Sequence, residues 1–163
     1  MGKLNVEAEQ IAAAAADDVW ALVSDITAYS RWGPWSEGAY RSPGETSPRG
    51  PGAVYWLRSS RRYGLVRPVS VEKILDAEEG RRLAYTVIGG IPVRNYRAEI
   101  ILTPVAGGTH IRWAASFDQT LAGRLVHRSL RKLYPQIVAR LAAAAEDAAG
   151  RVSGSEPARD SGR

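Results

Sequence analysis

The chain has 163 residues, of which 45% are hydrophobic and 24% charged, as expected of one globular domain that can bury a core. It contains no cysteine, which excludes disulfides, thiolate metal sites and a cysteine nucleophile. The formal net charge of +5 is compatible with an anionic partner, but the arginines accompany no nucleic-acid motif. We therefore expect an arginine-rich solvated surface and no nucleic-acid partner.

The hydropathy pattern predicts a cytoplasmic protein. Residues 1–7 lack the apolar core of a signal peptide. No run approaches the roughly 18 apolar residues that suggest a transmembrane helix. We therefore expect no integral membrane association, and we find no signal that sets the oligomeric state.

The first third of the chain predicts one strand and two short helices. Val6 and Ala8 alternate with polar residues, as in a strand with one buried face. Residues 13–25 carry apolar residues at helical spacing, and residues 25–32 continue as a second short helix or turn before Gly33-Pro34. Residues 40–52 are rich in glycine and proline, which predicts a loop with at most a short strand.

The middle of the chain predicts an antiparallel meander. The five candidate strands are residues 53–58, 66–75, 82–88, 93–103 and 109–117. Short strands at regular spacing with glycine-bearing turns are typical of antiparallel sheets. One strand, two helices, a meander and a final helix together predict an α+β fold.

The last long apolar run, from about residue 118 to 149, predicts a helix with one buried face. Its apolar residues recur every three to five positions. They are Leu121, Leu125, Leu130, Leu133, Ile137, Leu141 and Ala145. Such a helix would be roughly 45 Å long, and Pro135 removes one of its backbone hydrogen bonds, so we expect a kink there. Residues 1–149 would form the domain and residues 150–163 a disordered polar tail.

Alternation along the later strands assigns aromatic side chains to the inner face of the sheet. The predicted inward set contains Tyr85, Tyr96, Trp113 and Phe117 together with the small residues Ala98 and Ala115. His110 falls on the outer face. Large aromatics beside small residues either fill a core or leave a cavity.

Three segments carry a resemblance to a known family. They are RLAYTVIGGIPVRNY at residues 82–96, GGTHIRW at 107–113, and DDVWALVSD at 17–25 followed by YSRW at 29–32. In this order they resemble polyketide cyclase/dehydratase-like proteins of the START-like (SRPBCC) superfamily. The resemblance implies a helix-grip fold, in which a curved antiparallel sheet of about six or seven strands wraps around a long C-terminal helix. Two short helices would follow the first strand.

The resemblance also implies a cavity between sheet and helix for an apolar or aromatic small molecule. Flat aromatic walls with a few polar tips suit such a cavity. The candidate ligand-binding residues are Trp32, Trp35, Trp56, Tyr85, Tyr96, Ala98, Trp113, Ala115, Phe117, Leu130 and Tyr134. Arg58 and Arg94 would contact an anionic ligand group, or else remain exposed to solvent.

The chain offers little evidence of catalytic chemistry. His127 borders the apolar face of the last helix and is the candidate general acid or base, with a packed or surface role as the alternative. The histidines and carboxylates lack metal-ligand spacing, and the glycine pairs suit hairpins rather than phosphate loops. We expect no metal and no cofactor.

Three functions remain open. The first is binding of a small hydrophobic or aromatic molecule, lipid- or polyketide-like, in the cavity. The second is an aromatase/cyclase or dehydratase that uses tyrosine or His127 as acid–base groups in the same cavity. The third is an interaction module with a basic surface, which a filled core with a continuous basic face would favour.

Overall fold

In the computed structural model, which describes residues 2–154, seven antiparallel strands form one sheet in the order β1-β7-β6-β5-β4-β3-β2. The strands are β1 Lys3–Ala12, β2 Trp35–Ser42, β3 Val54–Ser59, β4 Val69–Glu78, β5 Arg82–Gly89, β6 Arg97–Val105 and β7 Gly108–Asp118. The helices are α1 Ala16–Val23, a 3-10 turn Ile26–Ala28, α2 Tyr29–Trp32 and α3 Leu121–Ser153. The predicted α+β helix-grip architecture is confirmed.

The sheet curves around α3. Register shifts interrupt the pairing of β2 with β3 and of β4 with β5. Such bulges add a residue to one strand, which bends it and increases its twist. Helix α3 packs against β1, β7 and α1, so the curved sheet has the long helix on its concave side.

Strand β2 is the main element that the sequence prediction missed. Its sequence WSEGAYRS shows no clean alternation, and most of its residues are partly or fully exposed. It lies at the edge of the sheet and pairs only with β3 among the described strands. The sequence predicts a loop with at most a short strand over residues 40–52, and β2 enters this segment only as far as Ser42.

Helix α3 begins after Thr120, whose side-chain hydroxyl accepts a hydrogen bond from the backbone N–H of Gly123. It continues through Pro135 and ends at Ser153, so the first residues of the predicted disordered tail are helical. The rest of that predicted tail, residues 155–163, lies outside the described residues.

The buried face of α3 is shorter than predicted. Leu121 is 84% exposed and Leu125 is 69% exposed. After Gly123, the next buried residues are Tyr134, Ile137, Val138, Leu141, Ala142 and Ala145. The first turns of the helix therefore border an opening, whereas its second half closes the core.

The alternation predicted for the last strands is confirmed. Ile100 on β6 and Ile111 on β7 are buried, as are their neighbours two positions away. His110 points to the outer face, where its Nε2 lies 3.8 Å from a carboxylate oxygen of Glu9. Tyr96 immediately precedes β6 rather than lying within it, but its side chain is buried as expected.

Candidate ligand-binding cavity

A cavity of about 440 Å³ lies between the sheet and α3. Strands β3, β4, β5 and β7 supply one wall, and residues 125–137 of α3 supply the facing wall. The loop from Gly90 to Tyr96 and the loop carrying Tyr63 and Val66 complete the lining. This volume falls in the range of small-molecule sites in proteins.

Six of the eleven predicted ligand-binding residues line this cavity. They are Trp35, Tyr85, Tyr96, Trp113, Leu130 and Tyr134. Four others are buried without lining it, namely Trp32, Ala98, Ala115 and Phe117. The remaining one, Trp56, lies outside the cavity.

Trp56 is placed on the other face of the sheet by the alternation of β3. Its neighbours Tyr55 and Leu57 are buried, whereas Trp56 is half-buried and carries the guanidinium of Arg58 at 5.4 Å from its ring. Arg58 also forms an ion pair with Glu37 at 2.8 Å. Neither Trp56 nor Arg58 lines the cavity, and the exposed Arg94 does not line it either.

Three tyrosines and a tryptophan form a connected polar group in the cavity wall. The hydroxyl oxygens of Tyr96 and Tyr134 are 2.6 Å apart, and the indole N–H of Trp113 donates to the hydroxyl of Tyr85 at 3.0 Å. Burial raises the pKa of Tyr85, Tyr96 and Tyr134 above the ordinary phenol value. These hydroxyls therefore stay neutral at physiological pH. Tyr85, and whichever of Tyr96 and Tyr134 accepts the bond between them, can donate to a ligand oxygen.

An aromatic cluster extends this wall towards α2. The ring of Trp35 lies 5.0 Å from Tyr29, 5.6 Å from Trp32 and 6.5 Å from Trp113. Tyr29 is anchored by a buried hydrogen bond from its hydroxyl to the carbonyl of Val23. The indole N–H of Trp32 is buried and has no partner among the described residues. The cluster gives the cavity a rigid, largely apolar side.

The sequence prediction missed Glu72, a buried carboxyl group in the cavity lining. Its two oxygens accept hydrogen bonds from the hydroxyls of Tyr55 at 2.6 Å and Ser70 at 2.7 Å. Burial raises the pKa of Glu72, and the two donated hydrogen bonds partly offset that rise. The only available signal was its phase on β4, where Glu72 and Ser70 share a side with the buried Ile74.

Both histidines lie outside the cavity. The Nε2 atom of His127 is 2.8 Å from the carbonyl oxygen of Asn5 in β1, and its ring lies 6.3 Å from that of Phe117. On α3, Val126 and Leu130 line the cavity, so the intervening rotation directs His127 towards β1. His127, the candidate general acid or base, therefore does not line the cavity.

The described residues contain neither a metal cluster nor a membrane-spanning helix. No group of three or more His, Asp or Glu side chains in residues 2–154 is arranged to hold a metal ion. No helix in that part of the chain is long and apolar enough to cross a membrane.

Comparison with known proteins supports the architecture. Residues 3–146 match the family model described as polyketide cyclase/dehydrase and lipid transport. A solution NMR structure of a protein from Thermobifida fusca is 27% identical, with a TM-score of 0.65 over 91% of this chain and 94% of that one. No curated protein matches the sequence.

Two more distant structures share the fold. A START superfamily protein from Mycobacterium smegmatis is 17% identical, with a TM-score of 0.67 over 93% of this chain and 99% of that one. The crystal structure of Ara h 8.0201 is 15% identical, with a TM-score of 0.63 over 87% and 99% of the two chains. At these identities the likeness concerns the fold alone.

Proposed function

The chain belongs to the polyketide cyclase/dehydrase and lipid transport family, and we propose that it binds a small hydrophobic or aromatic molecule between the sheet and α3. The observation that carries this proposal is the cavity of about 440 Å³ between the two layers. Its lining is mainly aromatic and aliphatic, with a few polar tips. These residues line a cavity and do not form the filled core that would have favoured the interaction module.

The physical driving force is burial of apolar ligand surface, worth about 25 cal/mol per Å² before ordering costs. Trp35, Trp113 and Leu130 offer such surface in the lining. Tyr96 and Tyr134 lie within the same wall and already hydrogen bond to each other. A ligand oxygen that approaches them meets hydroxyls whose orientation is already restricted, which lowers the entropy cost of binding.

Direct binding of a fluorescent probe tests the proposal. N-phenyl-1-naphthylamine is uncharged at neutral pH and brightens in apolar sites, so its saturable binding would report the cavity. Val126→Trp places a large ring in the lining and should weaken probe binding by about ten-fold or more. Ala139→Trp adds the same ring on the exposed side of α3 and should leave binding unchanged.

Two results would defeat the proposal. One is no saturable probe binding to the wild-type chain. The other is equal binding by wild type and Val126→Trp, with both variants shown to be folded by circular dichroism. Native mass spectrometry of the protein purified from its own cells would then identify the retained molecule, if binding is confirmed.

The groups facing the cavity favour a second candidate function, cyclisation or dehydration of a poly-β-keto or aromatic substrate. Neutral hydroxyls such as those of Tyr85 and Tyr96 can donate hydrogen bonds to an enolate oxygen, and the carboxylate of Glu72 can accept a proton. His127 takes no part because it hydrogen bonds to β1. Mass spectrometry of a poly-β-keto thioester incubated with the protein should reveal a cyclised product that Tyr96→Phe forms at least about ten-fold more slowly. Equal product distributions with and without protein would exclude this function.

A further inference from the structure

The cavity lining has a one-sided charge. Glu72 is the only carboxyl group that lines it among the described residues, and none of the described lysines, arginines or histidines does so. The chain as a whole has the opposite balance, with 22 lysines and arginines and a net charge of +5. The cationic side chains are directed elsewhere, as Arg58 and Arg82 illustrate by pairing with Glu37 and Asp76.

The carboxyl group of Glu72 is held in a fixed position. Tyr55, its register partner on β3, donates to one oxygen and Ser70 donates to the other. Each carboxylate oxygen can accept a second hydrogen bond, so the group keeps acceptor capacity on the cavity side. Retaining a buried carboxylate without a cationic partner costs free energy, and a ligand cation would repay that cost.

The surrounding rings suit a positive charge as well. Tyr85, Tyr96 and Trp113 lie in the same wall, with ring centroids of neighbouring pairs 6.2 to 6.4 Å apart. Aromatic faces attract cations through their quadrupoles, and more strongly where water is excluded. A ligand carboxylate would instead enter beside a like charge, with no cationic side chain in the lining to neutralise it.

We propose that the ligand is an apolar molecule with a single amine or comparable cationic group, that this group binds Glu72, and that the cavity rejects apolar carboxylates. The inference rests on the proposed binding function and adds the chemical class of the ligand to it. The apolar body of the ligand would contact Trp35 and Leu130, while its ammonium group would donate hydrogen bonds to the Glu72 carboxylate.

Three naphthalene compounds provide the test because they differ only in charge and polar group. They are 2-naphthylmethylamine, 2-naphthylmethanol and 2-naphthoate, each used to displace N-phenyl-1-naphthylamine at about pH 7. We expect the amine to bind about ten- to hundred-fold more tightly than the alcohol, and the carboxylate to bind most weakly.

Matched variants assign the preference to one side chain. Glu72→Gln keeps the shape and removes the charge, so the amine should lose its advantage over the alcohol and the carboxylate should improve. Glu79→Gln makes the same charge change on the exposed β4–β5 turn and should preserve the wild-type order. An unchanged amine preference in folded Glu72→Gln would overturn the inference.

The wild-type chain gives an independent measurement in case Glu72→Gln does not fold. Titrating from about pH 7 to about pH 4 protonates Glu72 while the amine stays charged, so the preference for the amine should disappear. The titratable groups that face Glu72 electrostatically are the phenols of Tyr29, Tyr55, Tyr85, Tyr96 and Tyr134. They remain neutral throughout this range, so they cannot cause the change.

The outcomes separate this inference from the function on which it rests. If the neutral probe binds but the carboxylate competes as well as the amine, the ligand class is wrong and the binding function stands. If the preference for the amine persists at about pH 4, the ligand class is likewise wrong and the binding function stands. If the probe does not bind at all, both proposals fail.

Discussion

The hydroxyl groups of Tyr96 and Tyr134 form a buried hydrogen bond of 2.6 Å that joins the segment before β6 to the middle of α3. The two residues are 38 positions apart in the chain, and both line the cavity. The bond therefore fixes the distance between the two layers at the cavity wall.

Removing either hydroxyl should destabilise the fold. Tyr96→Phe and Tyr134→Phe are each expected to lower the free energy of unfolding by about 1–3 kcal/mol, because the remaining buried hydroxyl loses this partner. The double variant should lose less than the sum of the two. Urea denaturation measures all three values. Tyr63→Phe, at a half-exposed ring, is the control and should change the free energy by no more than about 0.5 kcal/mol. Strict additivity would show that the two hydroxyls are not coupled.

The buried Glu72 predicts a stability change with pH of a definite sign. Because burial raises its pKa in the folded state, the folded protein holds this proton more tightly than the unfolded chain does. Its contribution to stability is present below the ordinary value of 4.5 and is lost as the pH rises through the folded-state pKa. Glu72→Gln should therefore gain stability relative to wild type as the pH increases from about 4 to about 7. Urea denaturation across this range measures the difference, and a constant difference would contradict the prediction.

Asp118 predicts the opposite dependence. Hydrogen bonds from Lys3 at 2.7 Å and from Asn95 at 2.7 Å hold the pKa of its carboxyl group below the ordinary value of 3.8. The stability it contributes is present above that value and is lost as the pH falls through the lowered pKa. In Asp118→Asn, the loss of stability on acidification below about pH 4 should be smaller than in wild type. Lys3→Met removes one of the two partners and should also make the loss of stability on acidification smaller than in wild type. If all three proteins lose the same stability on acidification, Asp118 is not the group responsible.

Alanine substitutions at two glycines with left-handed backbone conformations distinguish the cost of backbone strain from the cost of a steric clash. Gly90 has φ of 86°, and a Cβ there would lie 1.8 Å from the carbonyl oxygen of Val69. Gly107 has φ of 81°, and nothing lies within 4 Å of its Cβ position. Gly107→Ala should therefore cost only the conformational strain, about 1–2 kcal/mol. Gly90→Ala should cost clearly more, since β4 must also move away from a loop that lines the cavity. If urea denaturation shows the same loss of unfolding free energy for both variants, the β4 backbone can move away from the added Cβ at no measurable cost.

The elements with a strong period were predictable from the sequence. On β7, Ile111, Trp113 and Phe117 alternate with residues that are mostly polar, and a strand with one buried face follows directly from that pattern. Boundaries were less predictable because pairing decides them. Strand β6 begins only at Arg97, two residues after Asn95, whose φ of 50° breaks the extended backbone. Strand β2 has no such period, and its edge position depends on β3.

The aromatic part of the site was also predictable, whereas its charged part was not. Alternation divides a strand into two faces but does not say which face is inward. On β3 and β4 the bulky Trp56 and Val71 pair on the outer side, while Tyr55 and Glu72 pair on the inner side. A cavity wall tolerates a polar group that a solid core would exclude. The side of β4 that carries Val71 therefore lies on the outer face, although it is the more hydrophobic one.

The pairing of β1 with β7 has a consequence for how the molecule is made. Lys3 and Asp118, which bond across these strands, are 115 positions apart. During synthesis β1 has no strand partner until β7, the last of the seven strands, has left the ribosome. Contacts of such long sequence separation slow folding because the loop must close before they form. We expect a refolding rate typical of high-contact-order proteins, and a nascent chain that cannot acquire its ligand until α3, which supplies one wall of the cavity, has been synthesised.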